Sequence, residues 1–213
     1  MYRKKVNLTK LWWRKDYAGV IKVLKHPKSF QFDVNAKDSL GYTPLMLAVW
    51  DNKVRVVKLL LKHPKINVNA TNKYGWSAFL FSLYSRSPRI AKLLLAHPKL
   101  DVHSRLAQVM ATPLIILVGS NSHPRRSLKI IKKLLRHPKF DFSREDIKRT
   151  AAYALNSAVS HGNLLPLEFL LKQPEFVASL PKSFFDSVAA IASFSLPFKV
   201  ERLVKQRLLN EKI

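Results

Sequence analysis

The chain has 213 residues, of which 47% are hydrophobic and none is cysteine, a composition that excludes a disordered chain, disulfides, thiolate metal sites and cysteine nucleophiles. Lysine and arginine number 38 against 13 acidic residues, which gives a formal net charge of +25. Such a surplus opposes folding by self-repulsion unless an anionic surface neutralises it, so a nucleic acid or an acidic protein is an expected partner.

The first 15 residues contain six basic residues and no acid. Two interpretations stay open: part of an organelle presequence, or a basic arm that binds a partner. The most apolar stretch, residues 111–119, is about half the length of a membrane span, so we predict no transmembrane helix and no membrane partner. We expect an intracellular protein of unknown compartment, with cytoplasm, nucleus and mitochondrion all possible.

A His-Pro-Lys phrase recurs along the chain and indicates an internal repeat. Its histidines are His26, His63, His97 and His137, and Gln173 takes the fifth place in a weaker copy. The intervals of 37, 34, 40 and 36 residues are typical of solenoids built from small helical units.

The second unit has the clearest pattern. Thr43-Pro44 predicts the start of a first helix, because threonine is a good N-cap and proline suits the first helical position. A second helix is predicted from about Val54, and His63-Pro64 ends it. A short alternating stretch, residues 66–69, and a turn at Tyr74-Gly75 follow.

Residues 38–69, with their Gly-x-Thr-Pro-Leu opening, Val-Val-x-Leu-Leu second helix and x-Val-Asn hairpin arm, resemble the ankyrin repeat family. The resemblance covers about residues 8–178 in about five units, and it implies an all-α solenoid of stacked helix pairs with short hairpin-like loops. We predict a single domain over residues 1–213, with repeats and a basic N-terminal arm in 1–178 and capping helices in 179–213.

The resemblance also implies that hairpin tips and first helices line a concave side that binds a neighbouring protein. Tyr42, Tyr74 and Trp76 lie at the tips, where they are candidate binding anchors or pack against the next repeat. Trp12, Trp13 and Tyr17 are expected to cap the end of the core, and base stacking is the alternative.

The sequence contains no catalytic or phosphate-cradling motif, so we predict no enzyme, no cofactor and no small-molecule substrate. Glu145-Asp146, the only adjacent acidic pair, is interpreted as charge at a loop or helix start. The repeated histidines lie in units about 10 Å apart and cannot share a metal ion, so they are interpreted as helix stops, with no metal site.

Basic residues recur in register on the second helices, at three- and four-residue steps that follow one helix face. The fifth unit breaks this pattern with Leu165, Glu168 and Glu175. The candidate residues for binding nucleic acid or another anion are Arg55, Lys58, Arg89, Lys92, Arg125, Arg126, Lys129, Lys132, Lys133 and Arg136.

Two functional hypotheses follow. In the first, a non-enzymatic adaptor sets a basic convex face against structured RNA in a ribonucleoprotein such as a ribosome and holds a protein on its concave face. In the second, the chain is a pure protein-interaction module, for example a regulatory or pathogen-delivered protein, that docks on an acidic partner. The sequence does not separate RNA from DNA or from an acidic protein.

Overall fold

The structure is a computed structural model that describes residues 4–85, 87–106, 112–119, 124–141, 153, 164–178 and 180. The chain divides into two units, Met1–Pro113 and Leu114–Ile213, and each is described by itself. The predicted capping helices, apart from Leu180, and the Glu145-Asp146 pair lie outside the described residues. The single domain over residues 1–213 stays a prediction.

The first repeat of unit 1 contains helices α1 (Leu8–Trp13) and α2 (Tyr17–Lys25). Strand β1 (Lys4–Lys5) pairs in parallel with β2 (Phe30–Gln31), which follows a short 3₁₀ turn after α2. Residues 4–13 of the predicted basic arm therefore belong to the first repeat.

The second and third repeats each contain one further helix pair. The pairs are α3 (Pro44–Trp50) with α4 (Val54–Leu61), and α5 (Ala78–Tyr84) with α6 (Pro88–Leu95). The predicted starts at Pro44 and Val54 are confirmed. Thr43 and Ser77 cap α3 and α5 in the same way, because each side-chain oxygen accepts the backbone N–H three residues later.

The helices of unit 1 form two layers, since each repeat packs on its neighbour. Helices α1, α3 and α5 contact one another in sequence and form the first-helix layer, while α2, α4 and α6 form the second-helix layer. The core lies between the layers, where apolar side chains of both are buried, among them Leu8, Met46, Phe79, Leu60 and Ile90.

Asparagine side chains join the loops of successive repeats. Asn35 Nδ2 donates to the carbonyl of Lys65 at 2.7 Å, and its Oδ1 accepts the N–H of Asn67 at 2.8 Å. Asn69 makes the same pair of bonds with Lys99 and Asp101 one repeat later. The asparagine of the x-Val-Asn arm thus fixes the spacing between repeats.

Unit 2 contains four described helices. They are α7 (Pro113–Val118), α8 (Pro124–Leu135), α9 (Leu164–Leu170) and α10 (Pro174–Ala178). Helix α7 begins after Thr112, as its Thr-Pro-Leu opening predicts, and α8 packs against α9. Because Ile131, Leu134 and Leu167 are fully buried, α8 and α9 share an apolar core.

Candidate functional site

Phe81 of α5 is the centre of a cluster of five aromatic side chains, itself included. Trp76 and Tyr42 stack on its ring with centroids 4.9 and 5.7 Å away, and Trp50 meets it edge-on at 5.4 Å. Tyr84 lies edge-on to Trp76 at 5.4 Å. Phe81 is buried, whereas Trp50 is 54% and Tyr84 62% exposed, so the Phe81 cluster is both part of the core and a surface of the first-helix layer.

The structure places the three predicted protein-binding residues differently. Tyr42 and Trp76 are half-buried against Phe81, and Tyr42 thereby links the second repeat to the third. Tyr74 is 48% exposed, and its backbone N–H donates to Asn72 Oδ1 at 3.0 Å. Two of the three tip rings, Tyr42 and Trp76, therefore pack within the protein, and the third, Tyr74, is exposed.

A second cluster of side chains surrounds Asp51, the residue that directly follows α3. Asp51 Oδ2 accepts from Trp12 Nε1 at 2.9 Å and from the Tyr17 hydroxyl at 3.1 Å. Lys53 Nζ lies 4.4 Å from the centroid of the Tyr17 ring. Burial raises the pKa of the Tyr17 hydroxyl, and the hydrogen bond to Asp51 and the charge of that carboxylate raise it further.

The rings of the first repeat have different environments, although the sequence suggested one role for them. Trp12 is only 3% exposed and caps the core as expected, and Tyr17 lies edge-on to it at 4.8 Å. Trp13 is 62% exposed, and its Nε1 donates to Asp38 Oδ2 at 3.1 Å. Local spacing does not predict these bonds, because their acceptors lie 25 to 39 residues away in the chain.

The second-helix layer of unit 1 carries the predicted cations. Arg55 and Lys58 on α4 and Arg89 and Lys92 on α6 are all exposed, and we call these four side chains the basic face of unit 1. The opposite faces of the two helices are buried in the core. Because α4 packs against α6, the four cations belong to one layer.

Helix α8 of unit 2 likewise has one exposed basic face and one buried apolar face. Six exposed basic residues lie on or directly after it, and they are Arg125, Arg126, Lys129, Lys132, Lys133 and Arg136. Ile130, Ile131 and Leu134 bury the other face. Lys132 Nζ lies 5.2 Å from the centroid of the Phe169 ring, so at least one of these cations also contacts α9.

Carboxylates are scarce around these helices in the sequence itself. Between residues 52 and 140 the only acidic residue is Asp101. The helices α4, α6 and α8 therefore present cations with no acid of their own, as the register of the sequence predicted. Like charges on neighbouring helices repel, and an anionic ligand would relieve that repulsion.

The repeated histidines follow the ends of their helices, and three of them accept a backbone bond that was not among the sequence predictions. Nδ1 of His63 accepts the backbone N–H of Lys65 at 3.3 Å, and His97 and His137 accept in the same way from Lys99 and Lys139. Each of these imidazoles therefore closes the His-Pro-Lys turn through its Nδ1 as the acceptor.

Among the described residues, no three histidine or acidic side chains converge as a metal site would require. Within the same part of the chain, no helix has the length and apolarity that crossing a bilayer requires.

The comparisons with known proteins agree with this architecture. Residues 14–106, all in unit 1, match the family model for ankyrin repeats (3 copies). Residues 14–106 therefore contain ankyrin repeats. The predicted fold class, an all-α ankyrin-repeat solenoid of stacked helix pairs, is confirmed; the fourth and fifth repeats lie outside the matched residues and stay predictions.

A solved structure shares the fold over most of the chain. The crystal structure of EF0377, an ankyrin repeat protein, superposes with a TM-score of 0.68 at 19% identity, covering 93% of this chain and 96% of that one. No curated protein sequence matches the chain. Ankyrin-repeat proteins are interaction scaffolds, generally without enzymatic activity, so protein partners are implied for this chain.

Proposed function

We propose that this chain is a scaffold that holds a protein on its first-helix layer and structured RNA of a ribonucleoprotein, such as a ribosome, against its basic second helices. The observation that carries the RNA part is the exposure of single-sign charge on α4, α6 and α8. A helix that needs only a solvated surface gains from mixed charges, which pair along the helix, and α4, α6 and α8 contain no acidic residue of their own.

The mechanism is neutralisation of phosphate charge. Exposed arginine and lysine release counterions from the RNA backbone, so the affinity falls steeply with salt and depends little on base sequence. Arginine adds bidentate contact with phosphate oxygens, and each of α4, α6 and α8 carries at least one exposed arginine.

The protein part depends on the first-helix layer. Trp50 and Tyr84 expose more than half of their surface although each lies edge-on to a packed ring, and Tyr74 at the hairpin tip is 48% exposed. Exposed, oriented aromatic rings are typical of binding anchors, because they bury a large area at a small cost in side-chain entropy.

The experiment compares two triple variants that remove the same charge. The first changes Arg55, Lys58 and Arg89 to glutamine on the basic face of unit 1. The control changes Lys65, Lys73 and Arg105, exposed cations outside these helices, to glutamine. Fluorescence anisotropy measures the affinity of each full-length protein for an RNA hairpin of about 20 base pairs across a series of KCl concentrations.

The basic-face variant is expected to lower the slope of log affinity against log salt by about 2 to 3, since each lost phosphate contact contributes about 0.7 to 0.9. The control is expected to change it by less than about 1. Equal slopes for the two variants would show that net charge rather than this face governs binding. Failure of the wild-type protein to bind the RNA hairpin, together with binding of an acidic protein, would favour the second hypothesis, a pure protein-interaction module.

A further inference from the structure

An open groove of about 440 Å³ lies in the first-helix layer of unit 1, where α1 and α3 meet the start of α4. Its base contains Trp12 and Leu47, which are buried. Trp13 and Trp50 line it as exposed indoles, and we call it the Trp13–Trp50 groove. The remaining lining side chains are polar or charged, and they are Lys15, Tyr17, Asp51 and Lys53.

The two exposed indoles are held in place before any ligand arrives. The Nε1 of Trp13 is bonded to Asp38, and the Trp50 ring lies edge-on against the buried Phe81. A ring that is already oriented loses little conformational entropy on binding. Two such rings at one concavity form a site for an apolar side chain, and the groove has the volume of a small ligand pocket.

The charges at the groove select against a cationic ligand. Aromatic rings beside a carboxylate can form a cage for an ammonium group. Here Lys53 already places its own ammonium over the Tyr17 ring, and Asp51 Oδ2 is taken by Trp12 and Tyr17. Lys15, exposed at the same groove, adds a second positive charge, so the lining has two cations against one carboxylate.

We propose that the Trp13–Trp50 groove binds a linear segment of a partner protein in which an apolar side chain is flanked by carboxylates. The apolar side chain lies between the two indoles, and the carboxylates lie against Lys15 and Lys53. Charge complementarity with the whole chain, at +25, favours the same acidic class of partner. This proposal rests on the proposed function, because it names the chemistry of the protein held on the first-helix layer.

The test selects a random display library of about 12-residue peptides on the full-length protein, a length that spans the groove in extended form. The enriched peptides are expected to combine an apolar residue with net negative charge. One of them, made synthetically and labelled, is then titrated against variants. Lys53→Glu is expected to weaken its binding by about tenfold, and Lys65→Glu, the same charge reversal at an exposed lysine outside the groove, by less than about twofold.

Two tryptophan variants and a tyrosine variant locate the site. Trp13→Ala and Trp50→Ala are each expected to weaken the peptide by about tenfold, with circular dichroism confirming that both variants remain folded. Tyr84→Ala, outside the groove lining but in the Phe81 cluster, is expected to have a smaller effect than either.

The outcomes separate the groove from the proposed function. Peptides that are neutral or basic, or a selection that enriches nothing, would overturn the groove proposal. Binding that responds to Tyr84→Ala and not to Trp13→Ala or Lys53→Glu would overturn it too, while leaving protein binding by the first-helix layer intact. The RNA measurement on the basic face is independent of all these results.

Discussion

The two helix layers of unit 1 are built from the same repeats but differ in what their exposed side chains do. On the first-helix layer, the exposed Trp50 lies edge-on to the buried Phe81, and the exposed Tyr84 lies edge-on to Trp76, which stacks on Phe81. On the second-helix layer, Arg55 and Lys58 extend from α4 while its other face fills the core. The first surface is therefore coupled to stability, whereas the second carries exposed charge on helices whose other face fills the core.

The largest expected effect lies at the centre of the Phe81 cluster. Phe81→Ala removes a buried ring that three other rings contact, and we expect it to lower the free energy of unfolding by about 3 to 5 kcal/mol. Chemical denaturation measures this value. A loss below about 1 kcal/mol would mean that the cluster is only a surface feature and that the contrast between the layers is wrong.

A smaller effect is expected at Asp51. Asp51→Ala removes the acceptor of both Trp12 Nε1 and the Tyr17 hydroxyl, so we expect a loss of about 1 to 2 kcal/mol. The matched control is Asp101→Ala, whose carboxylate accepts one backbone N–H, from His103, and which should cost less. If the two substitutions lower the free energy of unfolding equally, the bonds from Trp12 and Tyr17 to Asp51 add no more stability than the turn bond that Asp101 accepts.

The raised pKa of Tyr17 makes the free energy of unfolding depend on pH. Because the folded-state pKa lies above the unfolded value of 10.0, the associated stability is complete below pH 10 and is lost as the pH rises through the raised pKa. Tyr17→Phe is expected to remove this component, so the difference in free energy of unfolding between wild type and variant should shrink as the pH rises above 10. A difference that is constant with pH would contradict the assignment.

The smallest expected effect lies on the second-helix layer. Changing Arg55, Lys58 and Arg89 together to glutamine should alter the free energy of unfolding by less than about 1 kcal/mol, with any change toward higher stability because repulsion is relieved. The same variant is expected to lose much of its salt-dependent RNA binding. A clear destabilisation would show that these cations pack as part of the fold.

Much of the repeat could be predicted from the sequence, because its signals are local. Thr43 caps α3 and Pro44 begins it, and these two residues act within one helical turn. The exposure of Arg55 and Lys58 follows from the helical period once Val57 and Leu60 are known to be apolar. The fold class and the helix face that carries the charges could therefore be predicted without knowledge of tertiary contacts.

The contacts of the aromatic residues could not be predicted in this way. Trp12 and Tyr17 bond to an aspartate more than 30 residues away, and Tyr42 stacks on a ring in the next repeat. Such pairings depend on how the repeats stack, which spacing within one repeat does not determine. The histidine turns had a local signal, since an identical His-Pro-Lys phrase suggests a side-chain bond to the nearby backbone, as seen at His63.

The most direct test of two separate surfaces uses Lys53, which lines the Trp13–Trp50 groove, and Lys58, which belongs to the basic face of unit 1. Mass spectrometry measures how fast each lysine is modified by an amine-reactive reagent in the full-length protein, alone, with the RNA hairpin or with the selected acidic peptide. RNA is expected to slow modification of Lys58 several-fold and leave Lys53 unchanged, and the peptide is expected to do the reverse. Equal protection of both lysines by either ligand would contradict the account.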